Sequence, residues 1–154
     1  MWLLRRMKSI KLDSHIILEY YLKEIRPHSE QGVVVWNSGL TKRQIGDIEN
    51  IQKVALKIIL GDNYSNYSLA CRELGLSTLS QRWAQLCTNF AIKLYKSARS
   101  EEYFTKLQPN KTRRKFKLVK ENTCRTRRCY NSPHNYLNRL VNENIEKINE
   151  NQRK

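Results

Sequence analysis

Glycine and proline are scarce, at five and three of 154 residues. A β-sandwich draws on turn residues about every 8–12 positions, so this composition excludes one and reads as helical. Aspartate is just as thin: Asp13, Asp47 and Asp62 stand alone, each near a helix end by pattern, and no Asp-Asp pair occurs. Metal-dependent nucleotidyl transfer clamps its ions between neighbouring carboxylates, so polymerase or nuclease chemistry is not expected. Phosphate-loop, dinucleotide, nucleophile-elbow and zinc-protease motifs are missing, and His15, His28 and His134 lie in unrelated contexts. The expectation is no catalysis, no cofactor and no metal. No apolar run reaches the roughly 18 residues of a membrane span. Met1-Trp2-Leu3-Leu4-Arg5-Arg6 is too short and too soon charged for a signal peptide. Four cysteines without such a signal predict reduced thiols and an intracellular protein, nuclear or cytoplasmic, not secreted.

Negative charge is in short supply as well. Twenty-nine Lys/Arg against 14 Asp/Glu leave +15. Residues 1–92 hold 12 basic and 8 acidic side chains, a net +4, whereas residues 93–154 hold 17 and 6, a net +11. Residues 106–128 alone carry ten basic groups and a single acid, Glu121. Laid along a polyphosphate, such a run releases condensed counterions, which makes RNA or single-stranded DNA the expected partner. A solvated basic tail without a specific partner is the alternative. A membrane surface is not favoured, because no sustained apolar face accompanies the charges.

The apolar fraction, 40 %, allows one modest core, and its periodicity places the helices. Leu3, Met7 and Ile10 predict a first helix; Asp13 or Ser14 caps a second through Ile17, Tyr20, Tyr21 and Ile25, ended before Pro27. Gly32-Val33-Val34-Val35-Trp36 has the β-branched density of a strand, or of a buried extended connection, with Trp36 in the core. Thr41-Lys42-Arg43-Gln44 is a capping box. The helix it opens carries Ile45, Ile48, Ile51, Ala55, Ile58 and Ile59 on one face and stops at Gly61. Asn63 or Ser65 opens a shorter helix with Tyr67, Ala70, Cys71 and Leu74, ended by Gly75. Thr78-Leu79-Ser80-Gln81 starts another, with Leu79, Trp83, Leu86, Cys87, Phe90 and Leu94 facing inward. Beyond Ser97 the pattern decays until a short helix near 134–143. The expected organisation is all-α: an irregular helical bundle over residues 1–97 and a basic, partly disordered extension over 98–154.

Cys71 and Cys87 fall on apolar stripes and read as small buried hydrophobes. Cys124-x4-Cys129-x4-His134 is a loose half-site for zinc, but it lacks a fourth ligand and is flanked by Arg125, Arg127 and Arg128. It reads as two unligated thiols in a basic loop. The candidate nucleic-acid ligands are therefore the cations Lys111, Arg113, Arg114, Lys115, Lys117, Lys120, Arg125, Arg127 and Arg128, with Phe116 and Tyr130 among them. Either the aromatics stack on bases, as single-strand binders require, or they pin the extension to the core.

Several segments occur in an order that carries a resemblance. These are Leu4-Arg5-Arg6-Met7-Lys8, Lys23-Glu24-Ile25-Arg26-Pro27 and Val35-Trp36-Asn37-Ser38-Gly39-Leu40-Thr41. They are followed by the stretch from Asp47-Ile48-Glu49 to Ile58-Ile59-Leu60-Gly61, by Leu86-Cys87-Thr88-Asn89-Phe90-Ala91, and by Asn131-Ser132-Pro133 with Tyr136-Leu137. Together they resemble the carboxy-terminal, post-palm region of reverse transcriptases from jockey-like non-LTR retrotransposons. The family's catalytic Ala-Asp-Asp lies upstream and is absent here, so the resemblance implies a truncated, non-catalytic, thumb-like copy. Such a region would help grip the template and primer, or dock onto the polymerase palm missing from this chain. Val34, Asn37 and Gln31 depart from the family pattern, and Trp83 stands where its second arginine is expected. A relic fragment without a function of its own is the remaining alternative.

Overall fold

A computed structural model describes residues 1–108, 117–145 and 148. Among them there is no named strand; the only β-pairing is an isolated antiparallel bridge between Lys106 and Val119. The expected all-α class holds. No helix among the described residues is long and apolar enough to cross a membrane. By contact the chain resolves into two compact units, Met1–Val33 with Leu40–Trp83, and Val34–Gly39 with Ala84–Lys154. The expected 1–97 and 98–154 division was one of composition.

The first unit opens with α1 (Trp2–Ser9) and α2 (Ser14–Tyr20), the latter capped by the Asp13 carboxylate on the His15 amide. The chain does not leave the helix before Pro27. A π turn over Tyr21–Ile25 leads into α3 (Arg26–Glu30), where Pro27 occupies the first turn. The Arg26 amide donates back five residues to the Tyr21 carbonyl, and this wider register carries the helix up to the proline, whose ring nitrogen has no N–H to place. After α4 (Val33–Trp36) and a 3₁₀ turn (Asn37–Gly39) comes α5 (Lys42–Leu60), opened by the expected Thr41–Gln44 capping box and closed at Gly61, whose φ of 59° suits glycine. Lys8 and the Ser14 hydroxyl both donate to the Ile59 carbonyl, at 2.8 and 3.2 Å. They satisfy an orphan acceptor at the negative end of α5. Leu4, Ile17, Tyr21, Ala55, Leu56, Ile59, Ala70 and Cys71 form the core.

Ala55 and Ile59 of the expected α5 face are buried and Ile58 packs against that core, but the rest of the face is rotated. Ile51 is 41 % exposed and Val54 37 %, while Glu49 and Gln52 are buried. The inward line is Glu49, Gln52, Ala55, Leu56 and Ile59. The polar pair is held by partners from other elements, contacts that periodicity alone does not report. Gln52 Oε1 accepts from the Tyr21 hydroxyl at 3.0 Å, and its amide donates to the Tyr67 hydroxyl and the Ser77 carbonyl, each at 3.0 Å. Tyr67 in turn donates to Glu49. The helix α6 (Tyr67–Glu73) is capped by Asn66, not by Asn63 or Ser65, through its side chain on the Leu69 amide.

The segment 33–36 is not a strand. It forms α4 (Val33–Trp36), one helical turn followed by the 3₁₀ turn Asn37–Gly39. Trp36 is half-buried and Val35 is 68 % exposed. A run of valines favours a strand only where a pleated surface receives it, and the described residues build no sheet.

The helix α7 (Leu79–Lys96) begins as expected: Thr78 Oγ1 accepts from the Gln81 amide and the Gln81 side chain from the Thr78 amide. The Glu49 carboxylate takes the two amides between, those of Leu79 and Ser80, at 3.0 and 3.1 Å. All four amides of 78–81 are thereby satisfied, and an acid stands at the positive end of the helix dipole. Farther along, Cys87 and Ala91 are buried but Phe90 is 43 % exposed, outside the face predicted for it. In the second unit α8 (Ser100–Tyr103), α9 (Arg127–Tyr130) and α10 (Pro133–Glu143) follow. Phe104, Val119, Leu137, Leu140 and Val141 are buried there, so the stretch whose periodicity decays still supplies a core.

Candidate nucleic-acid interface

Three asparagines on α10 organise the basic segment. Asn135, Asn138 and Asn142, three and four residues apart, share one face of the helix and are all buried. Asn142 Oδ1 accepts from the amides of Leu118 and Val119, at 2.9 and 3.1 Å, while its amide donates to the Val119 carbonyl and to Glu121. Asn138 donates to the Lys120 carbonyl at 3.2 Å, and Asn135 to the Cys129 carbonyl at 2.8 Å. One face of a helix thus replaces the neighbouring strand that this segment lacks. On its other side, residues 105–107 pair with 118–120 through Leu107 N to Leu118 O and Lys120 N to Thr105 O, both 2.9 Å. With its backbone satisfied inward, the segment turns Lys120, Arg125, Arg127 and Arg128 to solvent.

Of the sequence-predicted ligands, Lys111, Arg113, Arg114, Lys115 and Phe116 lie outside the described residues. Lys117 is exposed but already paired with Glu121 at 2.7 Å. Burial works to raise the Glu121 carboxyl; hydrogen bonds from Lys117 and Asn142 outweigh it and hold the group below its ordinary 4.5. The single acid of the segment is therefore tied to Lys117 and Asn142. Tyr130 is 51 % exposed, so it does not pin the segment by burial.

Sequence reasoning passed over Arg139. Its guanidinium lies 3.7 Å from the Tyr130 ring centroid and 5.8 Å from that of Tyr136, and it donates to the Tyr130 carbonyl at 2.7 Å. A cation on an aromatic face fixes the ring's plane and leaves a preoriented, exposed ring beside Arg127 and Arg128. The signal available was Tyr136 and Arg139 at i, i+3 on an amphipathic helix. The asparagine face had a signal too, the spacing Asn135-x2-Asn138-x3-Asn142, but asparagine at such intervals reads as a solvated face unless a partner backbone is in view.

No group of three or more His, Cys, Asp or Glu among the described residues can hold a metal. The ring of His134 instead meets the Asn138 amide at 3.4 Å. Cys71 and Cys87 are buried as expected; burial pushes the Cys87 thiol up, opposed by the Asn37 amide. Comparison of the chain with protein-family models, with curated proteins and with solved structures found no match.

Proposed function

We propose that this chain is a non-catalytic copy of the post-palm region of a jockey-like retrotransposon reverse transcriptase, and that it binds RNA or single-stranded DNA nonspecifically. The observation that supports binding is the exposure of Lys120, Arg125, Arg127, Arg128 and Tyr130 in a segment whose backbone is held at 118–120 by Asn138 and Asn142 and at Cys129 by Asn135. Phosphate contacts from such cations position a strand without reading its sequence, and Tyr130 offers a ring to a base. Filter binding to single-stranded RNA at several salt concentrations tests it. Affinity is expected to fall with a slope of about 0.7 per phosphate contacted. Replacing Arg113, Arg114, Lys115, Arg127 and Arg128 by glutamine weakens all sequences equally and flattens the slope. Unchanged binding with an unchanged slope would move the site to Arg5, Arg6 and Lys8.

A second reading, a helical module docking on a protein such as a polymerase palm, draws on Ile51 and Val54, apolar and exposed at i, i+3 on α5. If the parent chain binds no RNA at low salt, this reading takes over, and co-purification with a palm fragment would be lost in Ile51→Asp.

A further inference from the structure

Cys124 and Cys129 bring their sulfurs to 3.2 Å. The turn that does this is built locally: Thr126 Oγ1 accepts from the Cys129 amide at 3.2 Å, opening α9 and folding the chain back. The two sulfurs also share a holder. The Asn135 amide lies 3.2 Å from Cys124 Sγ and 3.6 Å from Cys129 Sγ while it donates to the Cys129 carbonyl, and Asn135 is itself buried. Zinc would need further ligands, and no third His, Cys, Asp or Glu joins them among the described residues. Cys129 is exposed and Cys124 half-buried.

We propose that Cys124 and Cys129 are an oxidative modification site, a dithiol that closes to an intrachain disulfide under hydrogen peroxide. The exposed Cys129 meets the oxidant first. Its thiol gives up a proton, the thiolate attacks one peroxide oxygen, the O–O bond breaks to leave a sulfenic acid, and the departing hydroxide takes that proton and leaves as water. Cys124 sulfur then attacks Cys129 sulfur; the S–O bond breaks, the second water leaves with the Cys124 proton, and the S–S bond forms. Two thiols and one peroxide give one disulfide and two waters. The sulfurs must approach by about 1.2 Å to reach the ordinary bond length of about 2.05 Å. Neither step depends on nucleic acid.

The reduced 154-residue chain treated with one equivalent of peroxide is expected to lose the mass of two hydrogens without interchain disulfides. Tryptic mapping should join the Cys124 and Cys129 peptides and leave Cys71 and Cys87 as thiols. Cys124→Ser should instead accumulate a dimedone-reactive sulfenic acid on Cys129. Asn135→Ala should close about tenfold more slowly, the factor that one hydrogen bond of ordinary strength sets; should that variant lose its circular dichroism, Asn135→Ser serves in its place. Four alkylatable thiols after oxidation, prior reaction of Cys71 or Cys87, or only interchain disulfides would each overturn the proposal. So would a stoichiometric zinc ion released by chelator from the untreated chain.

Discussion

The side chain of Gln52 is bonded at both ends: its oxygen to Tyr21 and its amide to Tyr67 and Ser77. Gln52→Leu keeps the volume but strands the buried Tyr21 hydroxyl and the Ser77 carbonyl. Each unmet group costs about 1–3 kcal/mol, so a loss of at least about 2 kcal/mol is expected from urea unfolding. The adjacent Ile51→Asp introduces a carboxylate at an exposed site, where the cost stays under about 1 kcal/mol. The opposite order of urea midpoints would put the α5 face back on Ile51. Burial also pushes the phenols of Tyr21 and Tyr67 above the ordinary 10.0, Tyr67 further through its bond to Glu49. A folded-state value above the unfolded one means that the unfolded chain releases its protons first. The stability these phenols contribute is whole below pH ~10 and declines as pH rises toward the folded values. Tyr21 and Tyr67 should ionise together with unfolding, in a phenolate absorbance titration followed alongside circular dichroism. Ionisation of both before any loss of helix would contradict their burial.

At the scale of elements, the starts of α5 and α7 and the stop at Gly61 are legible because each is settled within a few residues by side-chain oxygens and a positive φ. The passage through Pro27 is not, since it depends on a π turn placed by what surrounds Tyr21 and Ile25. The clamp of α10 on residues 118–121 is likewise illegible, because its partners are 18 to 24 residues away in sequence. Asn142→Ala removes the acceptor of two amides and the donor to a buried carbonyl. About 2–3 kcal/mol should be lost, with hydrogen exchange at the amides of 118 and 119 accelerating well before the rest of the second unit. Exchange unchanged at those two positions would show that the bridge to residues 105–107 suffices without α10.

For the molecule as a whole, the reading as a post-palm copy makes a simple demand. Purified protein should extend no primer on any template with Mg²⁺ or Mn²⁺, because Asp13, Asp47 and Asp62 are scattered singly along the chain. Template-dependent incorporation that survives stringent purification would overturn that reading. The charge asymmetry is the other property of the whole, and it was plain from composition, since a count of ions needs no geometry. What composition could not say is how the cations are placed: Lys117 is paired with Glu121 and Arg139 is stacked on Tyr130, while Lys120, Arg125, Arg127 and Arg128 are exposed.

The helical class, the two capping boxes and the basic run were determined by the sequence alone, because each rests on near neighbours or on totals. Which side of α5 faces the core was decided by tertiary structure. Ile51 lies on the apolar stripe yet stays exposed while Glu49 and Gln52 go inside, because Tyr21, Tyr67, Ser77 and the amides of Leu79 and Ser80 converge there to satisfy them. A buried polar group costs little once every bond it would make in water is replaced. Those replacements come from residues 15 to 31 positions away, beyond the reach of any periodicity.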